Sequence, residues 1–240
     1  GDIVGVTGNL FKTKTEELTV EAHSIVLITK ALRPMPEKHK GLADIEIKYR
    51  QRYLDLMSSP ESTDVFIKRS KIVSSVRSLM LENGFLEVET PMMHSIPGGA
   101  VAKPFTTHHN ALDRELFLRI APELHLKRLL VGGFEKVFEI NRNFRNEGAD
   151  SSHSPEFAML EMYWAYADWR DMKALTQDLI QNAALAVAGS HKVTHHDGRI
   201  SDLGGAWREV NFYDAISEKV GETVTPQSSF DDLKKIAHKI

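Results

Sequence analysis

The 240-residue sequence contains no cysteine, and this absence excludes several kinds of site. Without thiols the chain has no disulfide framework, no thiolate nucleophile and no cysteine-based zinc site. This usage is typical of a reducing compartment, so we expect a cytoplasmic location. Long hydrophobic runs are missing too: stretches such as residues 25–28 (IVLI) fall far below the roughly 20 residues that a transmembrane helix needs. We therefore expect no membrane segment and, since no basic and apolar leader opens the chain, no secretory signal.

Neither positive nor negative side chains are in large excess. Lysine and arginine number 30 against 33 aspartates and glutamates, a formal net charge of −3, so overall charge indicates no nucleic-acid partner and any such contact must be local. The 42% hydrophobic and 26% charged shares are those of a globular chain, which excludes disorder, collagen and a coiled coil as descriptions of the whole. The length corresponds to about one and a half typical domains.

The first part of the chain has the texture of a β domain. Apolar, β-branched stretches predict strands at residues 2–8, 18–22 and 24–30, and two prolines at 34–36 place a boundary after them. These strands cannot close a sheet or barrel alone, so we interpret them as the tail of a small β domain. The charged connector at 37–60 leaves two interpretations open, a solvated linker helix or a nucleic-acid-facing patch.

Two amphipathic helices and a strand bounded by glycine and proline follow. Apolar residues at spacings of three, four and seven predict a helix over 63–83. Gly84 follows directly, and the residue after a helix often has a positive φ, which glycine adopts most easily. Residues 85–90 then have the pattern of a strand that Pro91 ends. A second helix, with a supporting role, is predicted over 171–188.

Residues 136–147 alternate between apolar and polar side chains, which predicts a strand with two distinct faces. One face carries Glu139, Asn141, Asn143, Arg145 and Glu147. A purely structural strand would not need so many polar groups, so we expect this face to meet water or a ligand. The segment 156–166 fits a returning antiparallel strand and a helix equally well on periodicity.

Short motifs in this region resemble those of the class II aminoacyl-tRNA synthetases. Residues 144–147 (FRNE), 153–157 (HSPEF) and Glu161 are similar to motif 2 of that family, and residues 84–91 (GFLEVETP) are similar to motif 1. The segments that resemble the lysine-specific members, the lysyl-tRNA synthetases, are 50–56 (RQRYLDL), 96–100 (IPGGA) and 121–127 (APELHLK). The two motifs have the family's order and spacing, and the resemblance covers essentially the whole chain.

The resemblance implies an α+β fold: a mixed, mainly antiparallel class II catalytic sheet flanked by helices and preceded by part of an OB-fold β-barrel. Residues 1–36 would be the C-terminal part of the OB-fold anticodon-binding domain, 37–60 a linker, and 61–240 the N-terminal part of the catalytic domain. Motif 1 builds the dimer interface in this family, so Pro91 is expected to face a second copy in a homodimer. The alternative is that the apolar face of the 63–83 helix only packs in the core.

The implied reaction is ATP-dependent activation of lysine to lysyl-adenylate, followed by transfer of lysine to the 3′ end of lysine tRNA. Catalysis of an in-line displacement at the α-phosphate depends on positioning and charge stabilisation. By its place in the motif, Arg145 would be the catalytic residue and bind the lysine carboxylate together with the α-phosphate. Glu147 would bind the adenine amino group, Phe157 would stack on the adenine ring, and His153 would lie by the outer phosphates.

The same resemblance implies a lysine pocket. Gly99 would let the backbone approach the substrate amino group, and Glu123 would pair with the α-ammonium. Tyr163 and a downstream carboxylate would hold the ε-ammonium, while Glu161 would support the pocket. Glu123 and Tyr163 favour a cationic substrate over the anionic one of the aspartyl relatives. Mg²⁺ is the implied cofactor beside ATP; its ligands are expected after Ile240, with no metal site within this chain.

The third motif of the family, a glycine-rich strand and helix with an ATP-clamping arginine, has no counterpart after Glu161. We therefore expect a fragment cut at both ends, weakly active or inactive in lysine-dependent ATP–pyrophosphate exchange. Two alternatives stay open. One is the synthetase-like part of another lysyl-transferring protein, a lysyl-phosphatidylglycerol synthase or a protein-lysine ligase; the other is a non-enzymatic interaction module.

Overall fold

The computed structural model describes residues 1–33, 44–150 and 152–239. The chain divides into two compact units, residues 1–70 and residues 71–240, and each is described by itself. Throughout the described ranges, every helix is too short or too polar to cross a lipid bilayer.

A β-hairpin opens the first unit. Strands β1 (Ile3–Lys12) and β2 (Leu18–Thr29) pair antiparallel. The predicted break between residues 22 and 24 is wrong, because β2 is one strand: Thr7 pairs with Ser24 and Gly8 with Ala22, which leaves His23 as an extra residue. A bulge of this kind bends a strand without ending its ladder. Since residues 1–33 contribute two strands and no closed barrel, the OB-fold stays a prediction.

The described part of the connector is helical, and the basic side chains 38–40 of the predicted linker lie outside the described residues. Asp44 caps helix α1 (Ile45–Arg50), and helix α2 (Arg52–Ser58) follows directly. Asp55 of α2 is fully buried and accepts charge-assisted contacts from Arg52 at 2.5 Å and Lys48 at 3.4 Å. Arg50 pairs with Glu46. The described basic side chains Lys48, Arg50 and Arg52 are thus all paired within the chain, and both interpretations of the connector stay predictions.

Helix α3 (Pro60–Glu82) confirms the first predicted helix, and it begins three residues early because proline fits the first helical position. Gly84 has φ of +78°, as predicted for the residue after this helix, and the Phe85 N–H donates to the Met80 carbonyl at 3.0 Å. Strand β3 (Leu86–Glu87) is shorter than predicted. Its ladder continues for one more bond, since the Val88 N–H donates to the Phe138 carbonyl.

Replacing Gly84 by alanine is expected to lower the free energy of unfolding by about 1–2 kcal/mol, because a Cβ is strained in the left-handed region. A Cβ at Gly84 would meet no atom within 4 Å, so backbone strain is the only cost. Gly148→Ala is the matched control, since that glycine also has open space around it and lies outside the left-handed region. Urea denaturation followed by circular dichroism measures both variants; equal stabilities would contradict the prediction.

Two three-stranded sheets form the second unit. Strands β4 (Met93–His94) and β5 (Thr106–His109) both pair antiparallel with β6 (Arg114–Leu118) between them, and a 3₁₀ turn at Asn110–Leu112 joins β5 to β6. Strand β7 (Lys136–Phe144) lies between β3, to which it is parallel, and β8 (Glu156–Trp164), to which it is antiparallel. The expected mixed, mainly antiparallel character is therefore confirmed.

The strand alternative for the 156–166 segment is confirmed by the pairing of β7 with β8. Glu139 lies opposite Glu161, and Asn143 lies opposite Phe157. Periodicity alone could not decide this, because only the open hydrogen-bonding edge of β7 distinguishes a strand from a helix with the same apolar stripe.

Helices and a further hairpin complete the unit. Their bounds are α4 (Glu123–Val131), α5 (Trp169–Ala188), β9 (Lys192–Thr194), β10 (Ile200–Asp202), α6 (Phe212–Val220) and α7 (Phe230–Ala237). Helix α5 confirms the second predicted helix: an Asp168–Asp171 capping box begins it and Gly189, at φ of +66°, ends it.

The core lies between the β3–β7–β8 sheet and two helices. The buried residues that form it are Met80, Phe85, Phe138, Leu175 and Leu179. Phe138 is on the apolar face of β7, so the helices cover that face. The opposite, polar face of β7 and β8 is consequently the one that faces away from this core.

Candidate active site

The β7–β8 hairpin positions Arg145 and Phe157 next to one another. The Arg145 N–H donates to the Pro155 carbonyl at 2.8 Å, which extends the ladder just beyond the two strands. The Arg145 guanidinium carbon lies 5.2 Å from the centroid of the Phe157 ring. Arg145 Nε is buried and has no hydrogen-bond partner among the described residues. A guanidinium that is only partly satisfied and held against an aromatic ring is a donor prepared for an anionic ligand.

A cavity of about 280 Å³ opens beside this pair. Its walls include all four residues that were predicted to bind ATP, Arg145, Glu147, His153 and Phe157. Glu147 is anchored from outside the hairpin, because its carboxylate accepts from the Lys103 N–H at 3.2 Å. One aromatic face, one cation, one carboxylate and one imidazole line the same concave surface, a set of groups that suits a nucleotide.

Asp150 orients His153, and the sequence analysis did not single out this aspartate. Its carboxylate lies 2.9 Å from His153 Nδ1 and also accepts from the backbone of Ser152 and His153. The Ser152 N–H and the imidazole are the main causes that lower the pKa of Asp150. An ionised Asp150 therefore favours the proton on Nδ1 and leaves Nε2 for other contacts.

A second group of predicted residues meets at the start of α4. Glu123 is the first residue of this helix and pairs with Lys127 at 2.5 Å, while the Lys127 ammonium lies 5.8 Å from the Tyr163 ring centroid. The Tyr163 hydroxyl donates to Glu161 at 2.9 Å. Gly99 lies against the same place, at φ of +88°, and a Cβ there would come within 2.9 Å of Glu123 Cβ. The loop can approach α4 this closely only because residue 99 is glycine.

The electrostatics of this second group are acidic. Burial is the largest cause that raises the pKa of Glu161, and the nearby Glu123 and Glu139 charges raise it further, against the Tyr163 hydrogen bond and Arg119. Burial, followed by the Glu161 contact, raises the pKa of Tyr163 well above that of a free phenol. A bound cation would stabilise this partly buried group of side chains, which carries an excess of negative charge; the group is called the acidic pocket below.

Part of the polar face of β7 does not meet water, which corrects the sequence-based expectation. Glu139 is 1% exposed and Arg119 of the preceding segment is 0% exposed, and the two side chains form an ion pair at 2.7 Å. Thr90 donates to Glu139 at 2.6 Å. Asn143 is equally buried, with both amide atoms unpartnered among the described residues. The sequence shows no local signal for Arg119, because its partner lies in another strand twenty positions away.

Pro91 is exposed four residues after the end of β3, and its carbonyl lies 2.9 Å from His94 Nε2. The dimer interface stays a prediction. Within the described ranges, no group of three or more His, Asp or Glu side chains could hold a metal ion.

Comparison with known proteins identifies relatives of the whole chain. Residues 44–238 match the family model for tRNA synthetases class II (D, K and N). The chain is 55% identical over 98% of its length to the lysine–tRNA ligase of Staphylococcus saprophyticus, and 52% identical over 99% to that of Enterococcus faecalis. It is 59% identical over 90% to the lysine–tRNA ligase of an Azoarcus species. The matches cover 43–47% of these relatives, so the chain spans about half of their length.

Proposed function

The chain belongs to the class II tRNA synthetases of the D, K and N group, and we propose that the protein it forms part of activates lysine with ATP and transfers it to lysine tRNA. The similarity to lysine–tRNA ligases over 90–99% of the chain supports this assignment. The observation that carries it is the placement of the nucleotide-type cavity and of the hydrogen-bonded Glu161–Tyr163 pair on one β-hairpin.

The geometry of β8 connects the two parts of the site. Phe157, Glu161 and Tyr163 are separated by even numbers of residues, so their side chains leave the same face of the strand. Phe157 and Glu161 are four residues apart, which corresponds to about 13 Å along the strand. An aminoacyl-adenylate is an extended molecule with a base at one end and an amino-acid side chain at the other. We propose that it lies along this face.

The nucleotide end would be bound by the hairpin and its loop. Phe157 stacks on the adenine ring, and Glu147 accepts a hydrogen bond from the adenine amino group. The Nε2 atom of His153, oriented by Asp150, donates to the outer phosphates when the imidazole is protonated. Mg²⁺ would accompany ATP and neutralise phosphate charge in the whole protein, and its ligands would lie outside the described residues.

Arg145 would act at the reacting centre. Its planar fork binds the lysine carboxylate and the α-phosphate oxygens together, which brings two anions into contact and reduces their mutual repulsion. As the carboxylate oxygen attacks phosphorus and pyrophosphate leaves, charge on the α-phosphate is stabilised by donors that are already in place. The chain's own contribution is therefore positioning and electrostatic stabilisation, without a covalent enzyme intermediate.

The lysine end would lie in the acidic pocket. Glu123 would pair with the α-ammonium, and the Tyr163 hydroxyl, supported by Glu161, would help to hold the ε-ammonium. An aspartyl side chain placed there would face the Glu161 carboxylate, and juxtaposed like charges cost several kcal/mol. The pocket thus favours lysine over aspartate.

Lysyl-sulfamoyladenosine, in which a sulfamoyl group replaces the α-phosphate, provides the direct test. Isothermal titration of the 240-residue chain should show saturable binding of this analogue at least about 100-fold tighter than binding of aspartyl-sulfamoyladenosine. Equal affinities, or a preference for the aspartyl analogue, would contradict lysine as the substrate. No binding of either analogue would favour the non-enzymatic alternative.

The affinity for lysyl-sulfamoyladenosine should fall as the pH falls through the raised pKa of Glu161. A bound ammonium favours the ionised carboxylate, so below that pKa, which lies above 4.5, binding must release a proton. The limiting slope is about tenfold per pH unit. Glu161→Gln should flatten the profile, whereas Glu156→Gln, an exposed acid of the same strand, should keep it. Unchanged slopes in both variants would exclude Glu161 as the titrating group.

We also propose a cytoplasmic homodimer with Pro91 at its interface. Family membership is the support for this arrangement, together with the exposed position of Pro91 in the second unit.

A further inference from the structure

Glu123, which would pair with the α-ammonium of the substrate, already has a partner in the chain itself. Its carboxylate pairs at 2.5 Å with the ammonium of Lys127, which lies one helical turn further along α4. The same ammonium lies 5.8 Å from the centroid of the Tyr163 ring. A primary ammonium of the protein therefore lies beside two of the side chains that are proposed to hold the two ammonium groups of lysine.

The two partners of this pair differ in how firmly they are held. Glu123 is the first residue of α4, where the positive end of the helix dipole stabilises a carboxylate. Its Cβ packs against Gly99, where an added Cβ would come within 2.9 Å. The Glu123 side chain is 29% exposed, whereas the Lys127 side chain is 54% exposed and has a flexible four-carbon stem. When a ligand requires Glu123, Lys127 is the partner that moves.

Electrostatics favours an exchange of partners over a shared carboxylate. Besides burial, the largest cause, the Glu123 charge raises the pKa of both Glu161 and Tyr163, so this carboxylate acts on the acidic pocket. Two ammonium groups on one carboxylate would lie about 4 Å apart, where like charges near a protein surface repel by more than an exposed ion pair contributes. An incoming α-ammonium therefore displaces Lys127 from Glu123 and does not join it there.

We propose, as a consequence that rests on the proposed function, that Lys127 is an internal competitor for the substrate α-ammonium. Lys127 occupies Glu123 in the ligand-free protein and is displaced when an aminoacyl ligand binds. Every ligand with an α-ammonium must break the Lys127–Glu123 pair, whereas a ligand without this group leaves the pair intact. Lys127 is thus a positioning residue that weakens the binding of lysyl compounds by the stability of its own ion pair.

Lys127→Met removes the ammonium and keeps an unbranched side chain of high helix propensity. Isothermal titration of the 240-residue chain should show that this variant binds lysyl-sulfamoyladenosine about twofold to fivefold more tightly, the range that corresponds to one exposed ion pair. Lys127→Gln, which also removes the charge, should reproduce the tightening. Lys235→Met, which breaks the exposed pair with Asp232, is the matched control and should leave the affinity unchanged.

Two comparisons distinguish displacement from simple repulsion between Lys127 and the ligand. The first uses 6-aminohexanoyl-sulfamoyladenosine, which keeps the ε-ammonium and lacks the α-ammonium, and which should bind equally with and without Lys127→Met. The second uses Glu123→Gln, in which the contested carboxylate is gone, so that adding Lys127→Met should no longer tighten binding of lysyl-sulfamoyladenosine. Equal tightening for both analogues, or in both backgrounds, would mean that Lys127 acts through space and would overturn the displacement.

The titrations also separate a failure of the competitor role from a failure of the proposed function. If the unaltered chain binds lysyl-sulfamoyladenosine and both Lys127 variants bind it equally or more weakly, the competitor role is overturned while the lysine site stands. If neither the unaltered chain nor the variants bind the analogue saturably, the proposed function fails. The competitor role then fails with it, because it requires a ligand whose α-ammonium pairs with Glu123.

Discussion

Replacing Arg145 by alanine is expected to weaken binding of lysyl-sulfamoyladenosine by about 100-fold or more. Two charge-assisted hydrogen bonds of about 1.5–3 kcal/mol each would be lost, one to the carboxylate-derived end and one to the group that replaces the phosphate. The contact with the Phe157 ring positions this side chain before ligand binds, and its buried Nε has no hydrogen-bond partner among the described residues. Isothermal titration of the 240-residue chain measures the loss.

Two further variants separate the role of Arg145 from a general loss of charge. Arg145→Lys should recover only part of the affinity, because an ammonium keeps the charge and loses the planar fork. Arg142→Ala removes an exposed arginine of β7 that lies 3.6 Å from Glu156, and it should bind the analogue normally. If Arg142→Ala were as defective as Arg145→Ala, net charge and not the specific contact would explain the effect.

Replacing Arg119 by methionine is expected to lower the free energy of unfolding by about 3–5 kcal/mol. The guanidinium donates to the Arg142 carbonyl at 2.8 Å and to Glu139 at 2.7 Å, and both charged side chains are removed from water. Methionine would fill much of the space but leave the Glu139 carboxylate buried with only neutral donors, including the Thr90 hydroxyl. Urea denaturation followed by circular dichroism measures the change.

The double variant Arg119→Met/Glu139→Leu shows whether the uncompensated charge is the cause. Because it removes both ions, most of the lost stability should return, and the coupling between the two sites should exceed about 1 kcal/mol. A double variant as unstable as the sum of the single ones would mean that packing around Arg119, not its charge, is decisive. The exposed pair Arg208–Glu218 is the control, and breaking it should cost less than about 1 kcal/mol.

Local elements of the fold were predictable because their signals are local. The apolar side chains of α3 and α5 recur at the spacing of a helix. Each helix is followed by a glycine with left-handed backbone, Gly84 and Gly189. The sequence-based bounds were wrong where pairing with another strand determines how far a strand extends. His23 interrupts the pattern of β2 without ending it, since β1 provides a continuous ladder across the bulge.

The site shows the same division. Arg145, Glu147, His153 and Phe157 were named from motif residues, and the structure places them around one cavity. Asp150 was not predicted, because an exposed aspartate in a polar loop has no pattern that reveals its contact with His153. Likewise, the alternation along 136–147 predicted a polar face but could not tell that Glu139 is fully buried whereas Arg145 is only half-buried.

The sequence by itself determined the family and the two long helices, and it named the candidate site residues, since these depend on residue type and short-range spacing. Tertiary structure alone decided that residues 156–164 form a strand and that Gly99 packs against Glu123. It also decided which of the alternating polar side chains are buried with a partner. These outcomes depend on contacts between positions far apart in the chain, and a buried charge is stable only where its distant partner reaches it.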